Sequence, residues 1–343
     1  MNREKIFAVI MAGGRGTRFW PASVRNRPKQ FIDLLGGGTM IQLTAARFRN
    51  VADPSGILVV TGQSHGDEVL SQLPLIAREN VLLEPVGRNT AACVGWAAET
   101  LRRRGHGNRI MVVAASDHMI EPLEGFENTL GEAAELAAEG HLCTIGIHPS
   151  HPATGYGYIQ RGKRMGSGWK VRRFQEKPDR ETAESYLRSG DYFWNSGMFI
   201  WKVDAFLEEL GSHMPELMAS LRALPDTVSP SMECYGALQS QSVDYGVMEK
   251  TGRAVVVKAD FQWSDIGDWP GARKAGVNKG ESILLDSENT LVFDETGRLT
   301  VVVGLSGVSV VSTDRATLVM SDDSSQKLKE IVEKLDSDRP ELV

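Results

Sequence analysis

Read only as apolar and polar positions, the chain changes texture twice. In the first part, continuous apolar runs of buried-strand length stand at Ile6–Ala12, Gly56–Thr61, Val81–Leu83, Arg109–Ala115 and Leu142–Ile147. Between them lie amphipathic stretches such as Met40–Val51 and Thr90–Arg104, the second led by Arg88-Asn89-Thr90 and closed by Gly105. This alternation predicts right-handed βαβ units and a mixed, mainly parallel sheet with helices on both faces. After Gly155 the strands lengthen and alternate, "YGYIQRG" and "WKVRRFQEKP", and helices follow at Arg180–Arg188 and Val203–Leu210. Such a segment is expected to be an insertion that walls one side of the sheet. From about Asp286 the runs are short and separated by turn residues, "NTLVFD", "RLTVVVG", "GVSVVST" and "ATLVMSD", before an amphipathic helix at Ser324–Leu335. The expected layout is a large α/β domain over 1–275, a linker near Lys274–Glu281 and a small β-rich domain over 282–343.

Composition adds mainly exclusions. The chain has 343 residues and a formal charge of -6 with both signs interspersed, so no basic stripe suggests nucleic acid and no patch suggests a membrane. "MNREKIF" enters a strand at once, with no signal-peptide core and no bilayer-length span, which predicts a cytoplasmic protein. Cys93, Cys143 and Cys234 are widely spaced without a CxxC pair and read as reduced structural thiols. His148 and His151 in "HPSHP" are flanked by prolines and joined by no acid cluster, which favours an exposed loop over a metal site.

Candidate chemistry begins where the first strand ends. "MAGGRGTRFWPASVRNRPKQF" is not a P-loop, because Gly16 is followed by Thr17 and Arg18 instead of Lys and Ser/Thr. It is not a dinucleotide fingerprint either, because Phe19 occupies the place of the third small residue. Glycines at a strand's carboxyl end let backbone N–H groups approach a polyanion, and Arg15, Arg18 and Lys29 add charge. We read a triphosphate cradle, against the plainer alternative of a tight turn with solvated arginines.

Nucleotide phosphate chemistry calls for a divalent cation on one or two carboxylates. Asp117 in "AASDHMI" stands at the carboxyl end of a predicted strand, and Asp265 in "WSDIGDW" lies in a loop; either could instead cap a turn. Glu176 and Lys177 in "FQEKPD" combine an acceptor for sugar hydroxyls with a cation for a phosphate, or form an ordinary charged strand end. Asn195 in "FWNSGMFIW" is a predicted buried amide whose partners are backbone groups or sugar hydroxyls.

These motifs in order, "GGRGTRFWPASVRNRPKQF", "LEPVGRNTAA", "ASDH", "HPATGYGYI", "FQEKP", "WNSGMF" and "WSDIGDW", closely resemble the bacterial mannose-1-phosphate guanylyltransferase family. The resemblance runs from about Phe7 to Trp269 and continues weakly through the tail. It implies a Rossmann-like nucleotidyltransferase core, a small C-terminal left-handed β-helix-like domain, a homodimer and Mg²⁺. It also implies the reaction of GTP with α-D-mannose 1-phosphate to give GDP-mannose and pyrophosphate. Longer relatives carry a cupin-like isomerase domain; with the sequence ending at Val343, that second activity is expected to be absent.

By the same resemblance, Gly13, Gly14, Arg15, Gly16, Thr17, Arg18 and Lys29 form the signature loop. Asp117 and Asp265 match metal-binding acids, Glu84, Pro85, Asn89 and Thr90 flank the purine, and Gly157, Glu176, Lys177 and Asn195 take the sugar phosphate. Phe19 replaces an expected Leu, and "SDDSSQKLKE" is looser than the family's usual ending. The implied mechanism is in-line attack of the sugar phosphate on the α-phosphorus, with no protein nucleophile. Guanine selection is left between the Glu84 carboxylate and nearby backbone groups. Two other functions fit the same residues: transfer to another sugar 1-phosphate such as glucose 1-phosphate, or a silent sugar-nucleotide-binding subunit.

Overall fold

The computed structural model describes residues 6–14 and 16–343, so Arg15 lies outside the described residues. Strands β1 (Ile6–Ala12), β2 (Ile57–Gly62), β3 (Val81–Glu84) and β4 (Ile110–Ala115) pair in parallel in the order β3-β2-β1-β4. Their near-continuous apolar composition suits burial on both faces. The helix Asn89–Arg103 contributes Ala91, Val94, Trp96, Ala98 and Leu101, among others, to the same core as Val9, Leu58, Val60 and Met111.

The following strands are β5 (Met119–Glu121), β6 (Leu142–Ile147), β7 (Tyr158–Met165), β8 (Gly168–Gln175), β9 (Tyr192–Lys202), β10 (Ala254–Lys258) and β11 (Gln262–Ser264). Among the described residues the main sheet has nine strands, β3-β2-β1-β4-β9-β6-β10-β8-β7. The segment after Gly155, expected as a wall beside the sheet, therefore lies in the sheet itself. Its pivot is β9, whose eleven mostly buried residues run antiparallel to β4, β6 and β7, while β6 and β10 pair in parallel. The register between β6 and β9 shifts between Thr144 and Gly146, opposite the stretch of β9 in which Gly197 has φ 70°. The extra residues lie on β9 between Asn195, which pairs with Gly146, and Phe199, which pairs with Thr144, so the bulge begins directly after Asn195.

The chain divides into two compact units. One takes residues up to Gly13, Ala45–Ala115 and Ile120–Trp263, and holds the main sheet. The other takes Gly14–Thr44, Ser116–Met119 and Ser264–Val343. Its strands are β12 (Ser282–Leu285), β13 (Leu291–Asp294), β14 (Thr300–Val303), β15 (Val308–Ser312) and β16 (Thr317–Ser321). β12 pairs with β14 and β13 with β15, both in parallel, a coil-on-coil pattern of β-helix type closed by antiparallel β16. The last helix is Leu328–Asp338; it starts later than its apolar periodicity suggests because Asp322–Lys327 forms a tighter 3₁₀ turn. One apolar core joins Phe19, Trp20, Val24 and Ile32 from the loop after β1 to Trp269, Phe293, Val311, Leu328 and Val332.

Candidate active site

β1 delivers the chain into its glycine loop beside the end of β4, with Met11 opposite Ala115. Gly13 is exposed, and a Cβ there would meet nothing. Gly14 and Gly16 have φ of 107° and 58°, in the left-handed region that favours glycine. At Gly16 a side chain would also press on Ser23 and on the Cβ of Lys29, so the loop can close over Lys29 only without one. Thr17 is half-buried and Arg18 exposed in the 3₁₀ turn that follows.

Lys29 is the best-connected group of this set. Its side chain is 6% exposed, and Nζ donates to Asp117 Oδ2 at 3.0 Å, to the Asp117 carbonyl at 3.3 Å and to the Asp265 carbonyl at 2.7 Å. A cavity of about 380 Å³ is lined by Gly14, Gly16, Thr17, Arg18, Lys29, Asp117, His118, Asp265 and Gly267. Gly267 sits beside both groups: a Cβ built there would stand in ordinary contact with Asp265 Oδ2 at 3.4 Å and Arg18 Nη1 at 3.6 Å. Burial pushes the Asp117 carboxyl up, but the Lys29 ammonium and His118 outweigh it and hold it below its ordinary value. Among the described residues no three His, Cys, Asp or Glu side chains form a preformed metal cage. Mg²⁺ is commonly held by only one or two carboxylates plus substrate phosphates, and ionised Asp117 with Asp265 fits that donor set.

A second set converges in the sheet unit. Asn195 N–H donates to the Gly157 carbonyl at 2.8 Å, and a Cβ on Gly157 would collide with Glu176 Oε2. Lys177, at φ 45°, pairs with Glu176 at 3.2 Å and is 61% exposed, so its ammonium is open to solvent. The Asn195 amide is oriented on both sides. Its Oδ1 accepts from Thr144 Oγ1 at 3.0 Å and from Gly197 N–H at 3.2 Å, and its Nδ2 donates to Asp244 Oδ1 at 2.9 Å. Burial first, and then the nearby Glu176 carboxylate, push Asp244 up to about 7.

Glu84 ends β3 and is buried, with Oε1 accepting from Tyr235 Oη at 2.7 Å. Burial raises the Glu84 carboxyl, and the Tyr235 bond partly offsets this. Pro85 is half-buried in the turn that follows. Asn89, at φ 63°, opens the helix and accepts from Thr90 N–H at 2.8 Å, while Thr90 Oγ1 accepts from Val243 N–H at 2.9 Å. Thr90 thus holds the residue next to Asp244.

Sequence reasoning missed Asp244, Tyr235 and Thr144. An acid inside the apolar stretch "SVDYGVM" was a usable signal for Asp244, which opens a π-helical turn, Asp244–Met248. Tyr235 offered none, because its partner lies 151 positions away.

The class is that of the nucleotidyltransferases, shown by a match that runs over most of the chain. A family model described as nucleotidyl transferase matches residues 7–279, and one described as a mannoseP isomerase/GMP-like beta-helix domain matches 280–335. A mannose-1-phosphate guanylyltransferase of Klebsiella pneumoniae is 38% identical over 96% of this chain and 73% of its own length. Its namesake in Escherichia coli K12 is 37% identical over 98% of this chain and 75% of its own length. A crystal structure from Thermus thermophilus, described as a mannose-1-phosphate geranyltransferase, has a TM-score of 0.88 at 31% identity, covering 97% of this chain and 99% of that one. The chain belongs to the mannose-1-phosphate guanylyltransferase family.

Proposed function

We propose that this chain transfers GMP from GTP to α-D-mannose 1-phosphate, releasing GDP-mannose and pyrophosphate. The observation that carries the reading is the convergence of Lys29 on both acid-bearing loops beside the glycine turn. The choice of guanine and mannose is supported by the relatives at 37–38% identity that bear that name. A sugar-phosphate oxygen attacks the α-phosphorus in line, the bond to the bridging oxygen of the β-phosphate breaks, and pyrophosphate carries that electron pair away. No protein nucleophile is needed, so positioning and charge neutralisation supply the acceleration.

In this reading Gly13, Gly14, Gly16 and Thr17 present backbone donors to the triphosphate. Arg15, Arg18 and Lys29 balance the charge that grows on the leaving pyrophosphate. Asp117 and Asp265 hold Mg²⁺, which when bound neutralises phosphate charge. Glu84, Pro85, Asn89 and Thr90 receive the guanine nucleoside, with the Glu84 carboxylate as acceptor for the N1–H and N2–H₂ donors. Gly157, Glu176 and Asn195 bind mannose hydroxyls, and Lys177 binds the sugar phosphate. A homodimer and a cytoplasmic location complete the proposal, without a nucleic-acid or membrane partner. Ile283, Leu284, Leu285, Val301 and Val303, on paired β12 and β14, are 45–57% exposed and offer a second copy an apolar strip. No described helix is long and apolar enough to cross a membrane.

Pyrophosphate release with Mg²⁺, measured for GTP, ATP, UTP and dTTP against mannose 1-phosphate and glucose 1-phosphate, tests the reaction. Turnover confined to GTP with mannose 1-phosphate is expected; turnover with another pair overturns the specificity. Light scattering of the purified chain and of Val301→Lys tests the dimer, the variant being expected as a monomer.

A further inference from the structure

The glycine loop is held by its own turns, with Phe19 N–H on the Gly16 carbonyl at 2.8 Å and Ser23 N–H on the Phe19 carbonyl at 2.9 Å, and by anchors from far along the chain. After the turn at Thr17–Phe19 the chain runs to Lys29 through a segment whose short-range bonds include the bridge of Val24 with Arg27, with N–H to carbonyl distances of 3.2 and 2.9 Å. Further anchors come from the β-rich tail. Arg27 forks onto Glu295, Nη1 to Oε2 at 2.7 Å and Nη2 to Oε1 at 2.9 Å. Glu295 is itself fixed: its N–H donates to the Ser312 carbonyl at 2.9 Å, and Lys279 Nζ reaches Oε1 at 3.1 Å. Trp20 Nε1 donates to the Leu342 carbonyl at 2.8 Å, and the Trp20 carbonyl accepts from Trp269 Nε1 at 3.1 Å. Arg25 pairs with Asp336 on the last helix.

We propose that the β-rich tail is a positioning device for the phosphate loop, in which Glu295, acting through Arg27, sets where Lys29 stands. Only Pro28, whose ring fixes its φ at -66°, separates Arg27 from Lys29, so the fork anchors the chain one stiff residue before the lysine. A two-bonded fork fixes direction as well as distance, which a single ionic contact does not. The Glu295 side chain is 15% exposed and that of Arg27 43%, so solvent screens the pair from the arginine side. The sequence of the tail shows no acid/base constellation; the anchoring role emerges only when Glu295 meets a residue 268 positions away. Glu295 is a positioning residue, and the proposal rests on the reading of Lys29 as a phosphate-binding group.

The test is a double-mutant cycle on the full chain with Arg27→Gln, Glu295→Gln and the pair, read as kcat and KM for each substrate and as melting temperature. Each single variant is expected to lower kcat about tenfold with KM for mannose 1-phosphate unchanged, and the double to fall no further, as for two residues of one unit. Lys279→Ala is expected to lower melting temperature while leaving kcat within about twofold, because the fork survives it. A folded Glu295→Gln protein with parental kcat, or additive losses in the double variant, overturns the proposal. Where Glu295→Gln does not fold, Arg27→Lys, which keeps the charge and removes the fork, replaces it with the same two outcomes. If the parent chain releases no pyrophosphate from GTP and mannose 1-phosphate, the proposed reaction falls. The anchor is then read from GTP affinity in the same variants: weaker binding supports it and parental binding overturns it.

Discussion

Asp117 and Asp244 are both half-buried, yet their neighbours drive them in opposite directions. Burial raises each carboxyl; at Asp117 the Lys29 ammonium reverses the effect, and at Asp244 the Glu176 carboxylate adds to it. The first region keeps its acid ionised and its cation fixed, which suits phosphates and a dication. The second orients an amide and keeps an acid close to neutral, which suits sugar hydroxyls that both donate and accept. Burial alone does not tell these regions apart. The sign of the nearest charge does.

The largest way to break the contrast is to remove the cation. Lys29→Ala is expected to cut turnover about 10²- to 10³-fold, the usual cost of losing one preorganised charge, and Asp265→Asn to cut it by a similar order. Steady-state pyrophosphate release with GTP and mannose 1-phosphate measures both, and parental kcat in a folded variant would take that residue out of the mechanism. On the other side, Gly157→Ala drives a methyl into Glu176 and is expected to raise KM for mannose 1-phosphate about 10- to 100-fold while sparing KM for GTP. A matched rise in both constants would place the damage in the fold. Glu84→Gln is expected to reduce the preference for GTP over ATP about tenfold; an unchanged ratio would pass guanine selection to backbone groups.

The smallest effect is in stability against pH. Asp244 keeps its proton in the folded state up to about pH 7, whereas the unfolded chain releases it near 3.8. The folded state therefore binds more protons across that window, and stability falls as pH rises through it. Asp117 has the opposite sign: its lowered value contributes stability above the ordinary carboxylate range, lost as pH falls through the folded value. Melting curves from pH 4 to 8 should show a flatter decline for Asp244→Asn than for the parent. An identical slope would mean that Asp244 titrates alike in both states.

The elements legible in the sequence are those with local causes. The β1 run, the glycine exit and the alternation up to Leu142–Ile147 follow from periodicity and turn chemistry, and Gly16 stands where φ 58° requires a glycine. The segment after Gly155 is misplaced by its pattern because alternation predicts strands but not their partners, and β9 finds three of them through a bulge. β12 escapes notice because "SILL" is too short to show a period. Within the site, motif and spacing point to Lys29 and Asp117, but their 3.0 Å bond is a tertiary fact. The Asp244 and Tyr235 partnerships are hidden for the same reason.

The shared core of Phe19, Trp20, Trp269 and Phe293 bears on how this protein can be cut for laboratory work. The two family models meet between residues 279 and 280, an inviting place to end a recombinant fragment. Lys279 there donates to the Val292 carbonyl at 3.0 Å and accepts from Asp294 N–H at 2.8 Å, so a stop codon at that point would cut through a strand bridge. It would also strip Phe293 from the ring of Trp269, 5.2 Å away between centroids, and leave a greasy face on the core that Phe19 and Trp20 share. Inserted tags and reporters have a better place at an exposed turn such as Gly166, which links β7 to β8 and leaves both strands in the chain.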